Sequence, residues 1–345
     1  MLISSKRTIV LTCVVFIFVL LTGYQSLMRI YVPNPLQHVL KNGTIEVPSF
    51  ITELRHSGLP SSSSLDLPTF RDKVISFNRL ETFGSKHDQY LIIPEEWMEG
   101  DSKGARAIGN IQATLPKIIL RPFGLLTIHK GDSTWAKSLT KFHAFDLTDY
   151  TRVLAFDSDS QVLNSMDHYF LAPIAALAVP RAYWLNEKST AIAAQVLGSH
   201  VMLLEPNEER YKKIVDEALS SGDFDMEVIN HLFKDSVMVL PHRRLALLTG
   251  EFRGKDHRKY LASDEDDDWN AMAEVSRAYL VHFGDWPLPK PWKQHPSADR
   301  ESARPECPED EEEKPDRPRC ADRVMWEGFY EDYHRDRDQI CTPFI

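Results

Sequence analysis

Short apolar runs alternate with amphipathic segments between residues 70 and 293. Five of these runs are four or five residues long and mostly apolar, which is typical of buried strands. They are Tyr90–Ile93, Lys117–Leu120, Arg152–Phe156, Val201–Leu204 and Val237–Leu240. Between the last two runs the spacing predicts a helix, which Asn207 can cap and Gly222 can end. Strand, helix and strand at this spacing predict an α/β sheet with helices on both faces.

Residues 1–29 differ from the rest of the chain in their apolar content. Thr8–Tyr24 has no charged residue over 17 positions, which is close to the lower limit for a membrane span. Its end lacks the small residues of a cleavage site, which favours an uncleaved signal anchor over a cleaved signal peptide. Because Lys6 and Arg7 precede the run, we expect the N-terminus in the cytoplasm. The sequence therefore predicts one N-terminal membrane helix in a single-pass type II protein with a lumenal remainder.

Two segments of low apolar content flank the predicted sheet. Residues 30–69 are rich in proline and serine, and we expect them to form a stem that carries the glycosylation sequon at Asn42. Residues 294–345 begin as a charged linker and end in a helical spacing of apolar residues, which predicts a tail helix that returns to the domain. The three cysteines beyond residue 300 allow one disulfide, but the sequence does not define the pairing.

Composition narrows the class of protein. The chain has 345 residues, of which 26% are charged and 43% hydrophobic, as in ordinary globular proteins. These values exclude a wholly disordered chain, a multi-span membrane protein and a collagen-like fibre. Forty basic residues against fifty acidic ones give a net charge of −10. Because nucleic-acid phosphates need a basic surface, we expect no nucleic-acid partner.

The tripeptide Asp157-Ser158-Asp159 directly follows the apolar run Arg152–Phe156. Four other D-x-D tripeptides occur in the chain, so the pattern alone is a weak signal. Its position distinguishes this one, because α/β sheets bind ligands at the carboxyl ends of their strands. Two carboxylates there can hold a hard divalent cation, which then bridges to substrate phosphates. The alternative is that both side chains only cap backbone groups where the strand turns.

A second candidate segment runs from His282 to Trp292. His282 follows an apolar run and precedes Gly284, while Lys290 lies between two prolines. A neutral imidazole can complete a metal site that two carboxylates begin. A lysine held by its neighbours can neutralise a phosphate as a point charge. The alternative is a structural histidine and an ordinary surface lysine.

Several of these motifs, in this order, resemble glycosyltransferase family 8, the glycogenin-like enzymes. The matching segments are Thr140–Phe145, Leu147–Tyr150, Val153–Asp159, Asp225–Asn230 and His282–Trp292. Leu240–Arg243 and Leu247–Arg253 look more specifically like the fungal, membrane-anchored N-acetylglucosaminyltransferase subgroup. The resemblance covers about residues 74–293. It implies a GT-A type nucleotide-diphospho-sugar transferase fold, with a single Rossmann-like mixed sheet, as a catalytic domain over residues 70–293.

The resemblance also implies a role for each matching residue. Asp157, Asp159 and His282 match the family's Mn²⁺ ligands, with Mg²⁺ as the alternative ion. Lys141 and Lys290 match lysines that contact the nucleotide-sugar, the second of them at its diphosphate. These assignments agree with the chemistry of sugar transfer, because charge develops on the diphosphate leaving group and cations stabilise it there.

Three further residues belong to the same implied site. Ser158 and Gly284 lie inside the two nucleotide-sugar-binding motifs. Asp225 matches a carboxylate beside the transferred sugar, where it is either a stabilising group or a nucleophile. The family retains the anomeric configuration of the sugar, and the sequence does not choose between these two roles.

Two departures from the family pattern bear on activity. The fold normally opens with a strand whose following loop holds the nucleotide base, and the sequence predicts no strand before Val74. Either that strand is supplied in altered form, or the uridine site is incomplete. The segment that matches the family's N-x-G loop reads Gly198-Ser199-His200, so sugar or acceptor contacts there are expected to differ. The first departure supports an alternative in which the protein is a catalytically impaired lectin or an assembly protein of the secretory pathway.

The function implied is that of a Golgi or endoplasmic-reticulum membrane enzyme. It would move a sugar, N-acetylglucosamine by subgroup resemblance, from a UDP-sugar to a glycan acceptor on a glycoprotein. A phosphatase of the haloacid dehalogenase type, with Asp157 as nucleophile, is a weaker alternative. That architecture places its D-x-D on the first strand, whereas here at least two predicted strands precede it, and it does not explain His282–Trp292.

Overall fold

The computed structural model describes most of the chain beyond residue 66. The described residues are 40–41, 44–45, 49–53, 67–98, 100, 103–124, 126, 138–186, 194–262, 268–293, 296–308, 313 and 318–341. The predicted signal anchor at Thr8–Tyr24 lies outside them, as do most of the predicted stem and Asn42 of the sequon. Within the described part of the chain, no helix has the length and apolar content needed to cross a membrane.

The chain divides into two units, Met1–Glu46 and Val47–Ile345. In the first unit, β1 (Leu40–Lys41) and β2 (Thr44–Ile45) pair as a short antiparallel hairpin. The described strands of the second unit are β3 (Ser49–Glu53), β4 (Asp88–Pro94), β5 (Ile118–Phe123), β6 (Val153–Phe156), β7 (Ser160–Val162), β8 (Leu177–Pro180), β9 (Val201–Leu204), β10 (Met238–Leu240), β11 (Leu247–Leu248) and β12 (Leu280–His282).

Helices connect most of these strands. The α-helices of the second unit are α1 (Leu67–Thr82), α2 (Lys103–Thr114), α3 (Glu208–Ser221), α4 (Asp225–Phe233), α5 (Arg258–Leu261), α6 (Ala271–Arg277), α7 (Ser297–Ala303) and α8 (Ala321–Cys341). The predicted helix is α3. Its cap is Asn207, whose side chain accepts a hydrogen bond from the Arg210 backbone N–H, and Gly222 ends it in a left-handed conformation with φ 67°.

The main sheet is a single mixed sheet of seven strands, in the order β10-β8-β9-β6-β3-β4-β5. β9 runs antiparallel to both its neighbours, and the other neighbouring pairs are parallel. All five predicted strands are present. Three of them are buried along the predicted run, whereas β5 and β10 are only partly buried because they form the two edges of the sheet.

The central strand of this sheet comes from the segment predicted to be stem. β3 pairs in parallel with β4 and with β6, so that Ile51 lies opposite Tyr90 on one side and Ala155 on the other. The expectation that no strand precedes Val74 is therefore wrong, and the sheet reaches into residues 30–69. Composition misled the prediction because a strand with partners on both sides depends on them, not on its own short sequence. β3 is therefore the opening strand that the fold requires, and the loop that follows it, residues 54–66, lies outside the described residues.

Helices cover both faces of the main sheet, as predicted. Along β4, Leu91 and Ile93 join one core cluster, while Tyr90 and Ile92 join the other, because successive side chains of a strand point to opposite faces. Residues of α1 and α2 fill the first cluster. Residues of α3, α4 and the 3₁₀ segment Ser138–Asp146 fill the second.

A smaller sheet and the tail helix form a third core cluster. β12 lies between β11, to which it is parallel, and β7, to which it is antiparallel. Val281 of β12 is buried in the same cluster as Trp326, Phe329 and Tyr330 of α8. The prediction of a tail helix that returns to the domain is confirmed. A disulfide joins Cys307 to Cys320, with 5.1 Å between their Cα atoms, immediately before α8 begins.

Candidate active site

The candidate site lies where the strand order of the main sheet reverses. From β3 the chain proceeds outward to β4 and β5, and it then returns to form β6 on the other side of β3. Open α/β sheets bind ligands at such a reversal, beyond the carboxyl ends of the strands. Asp157 and Asp159 follow β6 directly and are 4% and 3% exposed. The D-x-D tripeptide therefore occupies the position that the fold offers to a ligand.

Pairing between β7 and β12 brings His282 to the two carboxylates. His282 lies opposite Ser160, which follows Asp159 in the chain. One ligand atom each from Asp157, Asp159 and His282 lie within 4.8 Å of one another. His282 Nε2 is 3.0 Å from Asp159 Oδ1, and neither ring nitrogen makes a hydrogen bond to a described residue. Two carboxylates and an imidazole with an available nitrogen fit a divalent cation.

Lys290 approaches the same carboxylate from the loop that follows β12. Its Nζ is 2.8 Å from Asp159 Oδ2, and it also donates a hydrogen bond to the Phe283 carbonyl. The Gly284 N–H donates to Thr249 Oγ1 at 2.9 Å. A Cβ on Gly250 would lie 2.9 Å from the Gly284 carbonyl oxygen, so this close backbone approach requires glycine. The loop is thus held at the D-x-D tripeptide from several sides.

Lys141 joins the D-x-D tripeptide to Asp225. Its ammonium lies 2.5 Å from Asp157 Oδ1 and 2.7 Å from Asp225 Oδ2. Lys141 is 4% exposed and belongs to the 3₁₀ segment Ser138–Asp146, whereas Asp225 is the first residue of α4. The structure therefore brings together six of the predicted site residues, namely Lys141, Asp157, Asp159, Asp225, His282 and Lys290. Asp225 is connected to the cluster of Asp157, Asp159 and His282 through Lys141.

The described residues of the site include three carboxylates and two lysines. Asp159 contacts His282 Nε2 and Lys290 Nζ, and Lys141 lies between Asp157 and Asp225. Carboxylate oxygens and an imidazole nitrogen are ligands of divalent cations, and such an ion would add positive charge for an anionic ligand.

Two residues beside the predicted ones were not assigned to the site. Ser199 Oγ donates a hydrogen bond to Asp225 Oδ2 at 2.6 Å. His200 is 5% exposed, its ring centre is 5.6 Å from that of His282, and its Nε2 makes no hydrogen bond to a described residue. Burial, together with the neighbouring His282 and Lys141, holds the pKa of His200 well below its usual range. The sequence did indicate this segment, because Gly198-Ser199-His200 departs from the family's N-x-G loop.

Comparisons with known proteins show the family of the chain. No family model matches the chain. Glucose N-acetyltransferase 1 of Gibberella zeae is 39% identical over 276 residues, which cover 78% of this chain and 59% of that protein. Glucose N-acetyltransferase 1 of Aspergillus fumigatus is 35% identical over 289 residues, which cover 78% of this chain and 72% of that protein. The chain belongs to the glucose N-acetyltransferase 1 family.

More distant similarities connect the glucose N-acetyltransferase 1 family with glycosyltransferases. Glycogenin-1 of Caenorhabditis elegans is 30% identical over 88 residues, or 26% of this chain and 18% of that protein. The crystal structure of the galactosyltransferase LgtC with donor and acceptor sugar analogs has a TM-score of 0.52 at 13% identity, over 85% of this chain and 96% of that one. The predicted GT-A fold is confirmed by this structural similarity. The family 8 resemblance is confirmed by the sequence relatives.

Proposed function

We propose that the protein is a metal-dependent glycosyltransferase that moves N-acetylglucosamine from a UDP-sugar to a glycan acceptor. The observation that carries the proposal is the cluster of Asp157, Asp159 and His282 at the reversal of the sheet, with Lys290 against it. A cation site beside a lysine suits a diphosphate leaving group, which accumulates negative charge as the sugar leaves. The fungal relatives are named glucose N-acetyltransferase 1. The words glucose and N-acetyl in that name agree with N-acetylglucosamine as the donor sugar.

Asp157, Asp159 and His282 would hold the metal ion, which we propose is Mn²⁺, with Mg²⁺ as the alternative. When bound, the ion supplies positive charge to the diphosphate without a proton transfer. Lys290 contacts the Asp159 carboxylate, and its side chain is 26% exposed. It can therefore turn towards a phosphate with little loss of packing. Its charge then stabilises the departing UDP.

The other half of the site would receive the transferred sugar. Lys141 holds Asp157 and Asp225 at either side of its ammonium, and Ser199 donates to the same Asp225 oxygen. These bonds hold the Asp225 carboxylate in a fixed direction. A fixed carboxylate beside the anomeric carbon either stabilises positive charge there or forms a covalent bond to it, and both outcomes agree with retention of configuration.

We also propose that the chain is a single-pass type II protein of the Golgi or endoplasmic-reticulum membrane. Thr8–Tyr24 would be its uncleaved anchor, residues 30–69 would contain a stem, and the catalytic domain would be lumenal. The apolar run and the preceding basic residues support this topology. Sequencing the N-terminus of the mature protein tests it, because a start near Gln25 would show that the anchor is cleaved.

Donor turnover is the test of the function itself. The purified full chain is incubated with Mn²⁺ and a panel of UDP-sugars, and released UDP is measured with and without glycan acceptors. We expect release from UDP-N-acetylglucosamine above that from the other donors, and its loss when the metal is chelated. Release that is independent of metal, or absent for every donor, would contradict the proposal.

A further inference from the structure

Asp285 is a buried carboxylate in the loop between His282 and Lys290, and the chemistry proposed above does not use it. Its side chain is 1% exposed. The indole Nε1 of Trp326 donates to Asp285 Oδ1 at 3.1 Å, and the Tyr330 hydroxyl donates to Oδ2 at 2.8 Å. Both donors lie on α8. Because a buried charge must be hydrogen-bonded or paired, the tail helix supplies what this loop residue needs.

A second element holds the same part of the loop. Arg253 Nη1 is 3.7 Å from Asp285 Oδ1 and donates to the Asp285 carbonyl at 3.3 Å. Arg253 ends the 3₁₀ segment Thr249–Arg253, whose Thr249 accepts the hydrogen bond from Gly284. Two neighbouring loop residues are therefore fixed from two directions, one of them the tail helix.

The contacts alternate along the loop. The Phe283 ring packs against the rings of Tyr330 and Tyr333, with centroids 5.3 Å and 5.8 Å away. Phe283 and Asp285 therefore contact α8, while His282 faces Asp159. Such alternation follows from the geometry of extended backbone. Since Lys290 donates to the Phe283 carbonyl, the contacts of α8 bear on both functional side chains of the loop.

We propose that Asp285 is a positioning residue through which α8 holds His282 and Lys290 against the D-x-D tripeptide. The roles of His282 and Lys290 in this inference rest on the proposed function. The sequence predicts the tail helix outside the catalytic domain. By this inference, α8 positions residues of the active site.

The electrostatics of the contact between Tyr330 and Asp285 favour a stable hydrogen bond. Burial and the adjacent charge of Asp285 raise the pKa of the Tyr330 hydroxyl far above its usual value. Tyr330 therefore remains a donor at any physiological pH. A hydrogen bond to a charged acceptor is also stronger than one between neutral groups.

The test compares two substitutions on α8 in the full chain. Tyr330→Phe removes the hydroxyl and keeps the ring, whereas Asp336→Asn weakens the ion pair that joins α8 to Arg79 of α1 at 2.6 Å and keeps both donors to Asp285. Asp285→Asn is the companion variant, because it keeps the shape of the side chain and loses its charge. Hydrogen exchange of peptides spanning 282–292, Mn²⁺ affinity in the presence of UDP, and the separate values of kcat and KM are measured for each.

We expect Tyr330→Phe and Asp285→Asn to weaken Mn²⁺ binding by roughly tenfold, the loss of one hydrogen bond to a charged group. Exchange in 282–292 should accelerate in both, and their effects should not add in the double variant. Asp336→Asn should lower thermal stability while leaving metal affinity and loop exchange near those of the wild type.

Equal changes in Asp336→Asn and Tyr330→Phe would overturn the inference, because α8 would then act through general stability alone. Unchanged loop exchange in Tyr330→Phe and Asp285→Asn would overturn it as well. A failure of the proposed function is distinguishable: the wild-type chain would neither bind Mn²⁺ nor release UDP, while the exchange of 282–292 would still report on the contact with α8.

Discussion

The two halves of the site are held in different ways. The sheet half consists of Lys141, Asp157 and Asp225, and its lysine is 4% exposed between two carboxylates at 2.5 Å and 2.7 Å. The loop half consists of His282 and Lys290, and its lysine has a side chain 26% exposed. The first half depends on buried charges inside the main domain. The second depends on a loop fastened to the tail helix.

Because of this difference, we expect substitutions in the two halves to have different effects on stability and activity. A buried ion pair is costly to break because the remaining charge has no partner. A partly exposed one contributes less, since water replaces part of the lost contact. We therefore expect changes in the sheet half to reduce both stability and activity, and changes at Lys290 to reduce mainly activity.

The largest effect is expected at Asp159, which both His282 and Lys290 of the loop half contact. Asp159→Ala should lower metal-dependent transfer by roughly a thousandfold or more, because the metal site loses a charged ligand. The fold should persist, since this carboxylate lies beyond a strand and contributes little packing. Released UDP and circular dichroism measure the two effects. Asp235→Ala, at an exposed carboxylate, is the control, and equal loss in both variants would refute the assignment of the D-x-D tripeptide.

The contrast between the halves is sharpest at the two lysines. Lys141→Met should lower the free energy of unfolding by about 3–5 kcal/mol, because it leaves Asp157 and Asp225 buried without their shared cation. Lys290→Met should lower it by less, because Lys290 is 26% exposed and its partner Asp159 keeps His282 at 3.0 Å. Urea denaturation of the two variants measures the difference. Equal losses of stability would show that the halves are not distinct.

Lys290 should matter for rate. Lys290→Ala should lower kcat by roughly a hundredfold, because the charge is needed most as UDP departs. Lys290→Arg should restore only part of the loss, since a planar guanidinium does not replace a compact ammonium. Steady-state kinetics of UDP release distinguish these outcomes. If Lys290→Ala keeps the wild-type rate while Trp292→Ala unfolds the domain, Lys290 is an ordinary surface lysine.

The smallest effect concerns pH and the 3₁₀ segment of the sheet half. Burial lowers the pKa of His143, whose Nε2–H donates to the Gly124 carbonyl and whose Nδ1 accepts from the Tyr211 hydroxyl. Below pH 6.5 the unfolded chain takes up a proton that the folded chain resists, so stability falls as pH falls. His143→Gln should flatten this dependence by at most about 1.4 kcal/mol per pH unit.

Urea midpoints at neutral and mildly acidic pH check this prediction. His231→Gln is the control, because that histidine is exposed. An unchanged pH dependence in His143→Gln would show that the buried imidazole does not carry the effect.

The sequence predicted much of this architecture, and its failures have physical causes. Apolar runs such as Val153–Phe156 are buried along their length, so their composition reveals them. β3 escaped prediction because its stability comes from β4 and β6, which pair with it on both sides. Local composition cannot register partners that are distant in sequence.

The reactive residues of the site were easier to predict than the residues that position them. Position after a strand identified Asp157 and Asp159, and the order of motifs identified His282 and Lys290. Nothing local indicated that Asp285 meets Trp326 across 41 residues, because a charged segment separates them. Long-range hydrogen bonds between buried groups leave no periodic signal in a sequence.

Electron paramagnetic resonance of Mn²⁺ bound to the full chain with UDP tests the central claim most directly. The account predicts one bound ion per chain with nitrogen hyperfine coupling from a single imidazole, which is lost in His282→Gln and kept in His231→Gln. A bound ion without imidazole coupling, or the same coupling in His282→Gln, would contradict the metal site proposed for Asp157, Asp159 and His282.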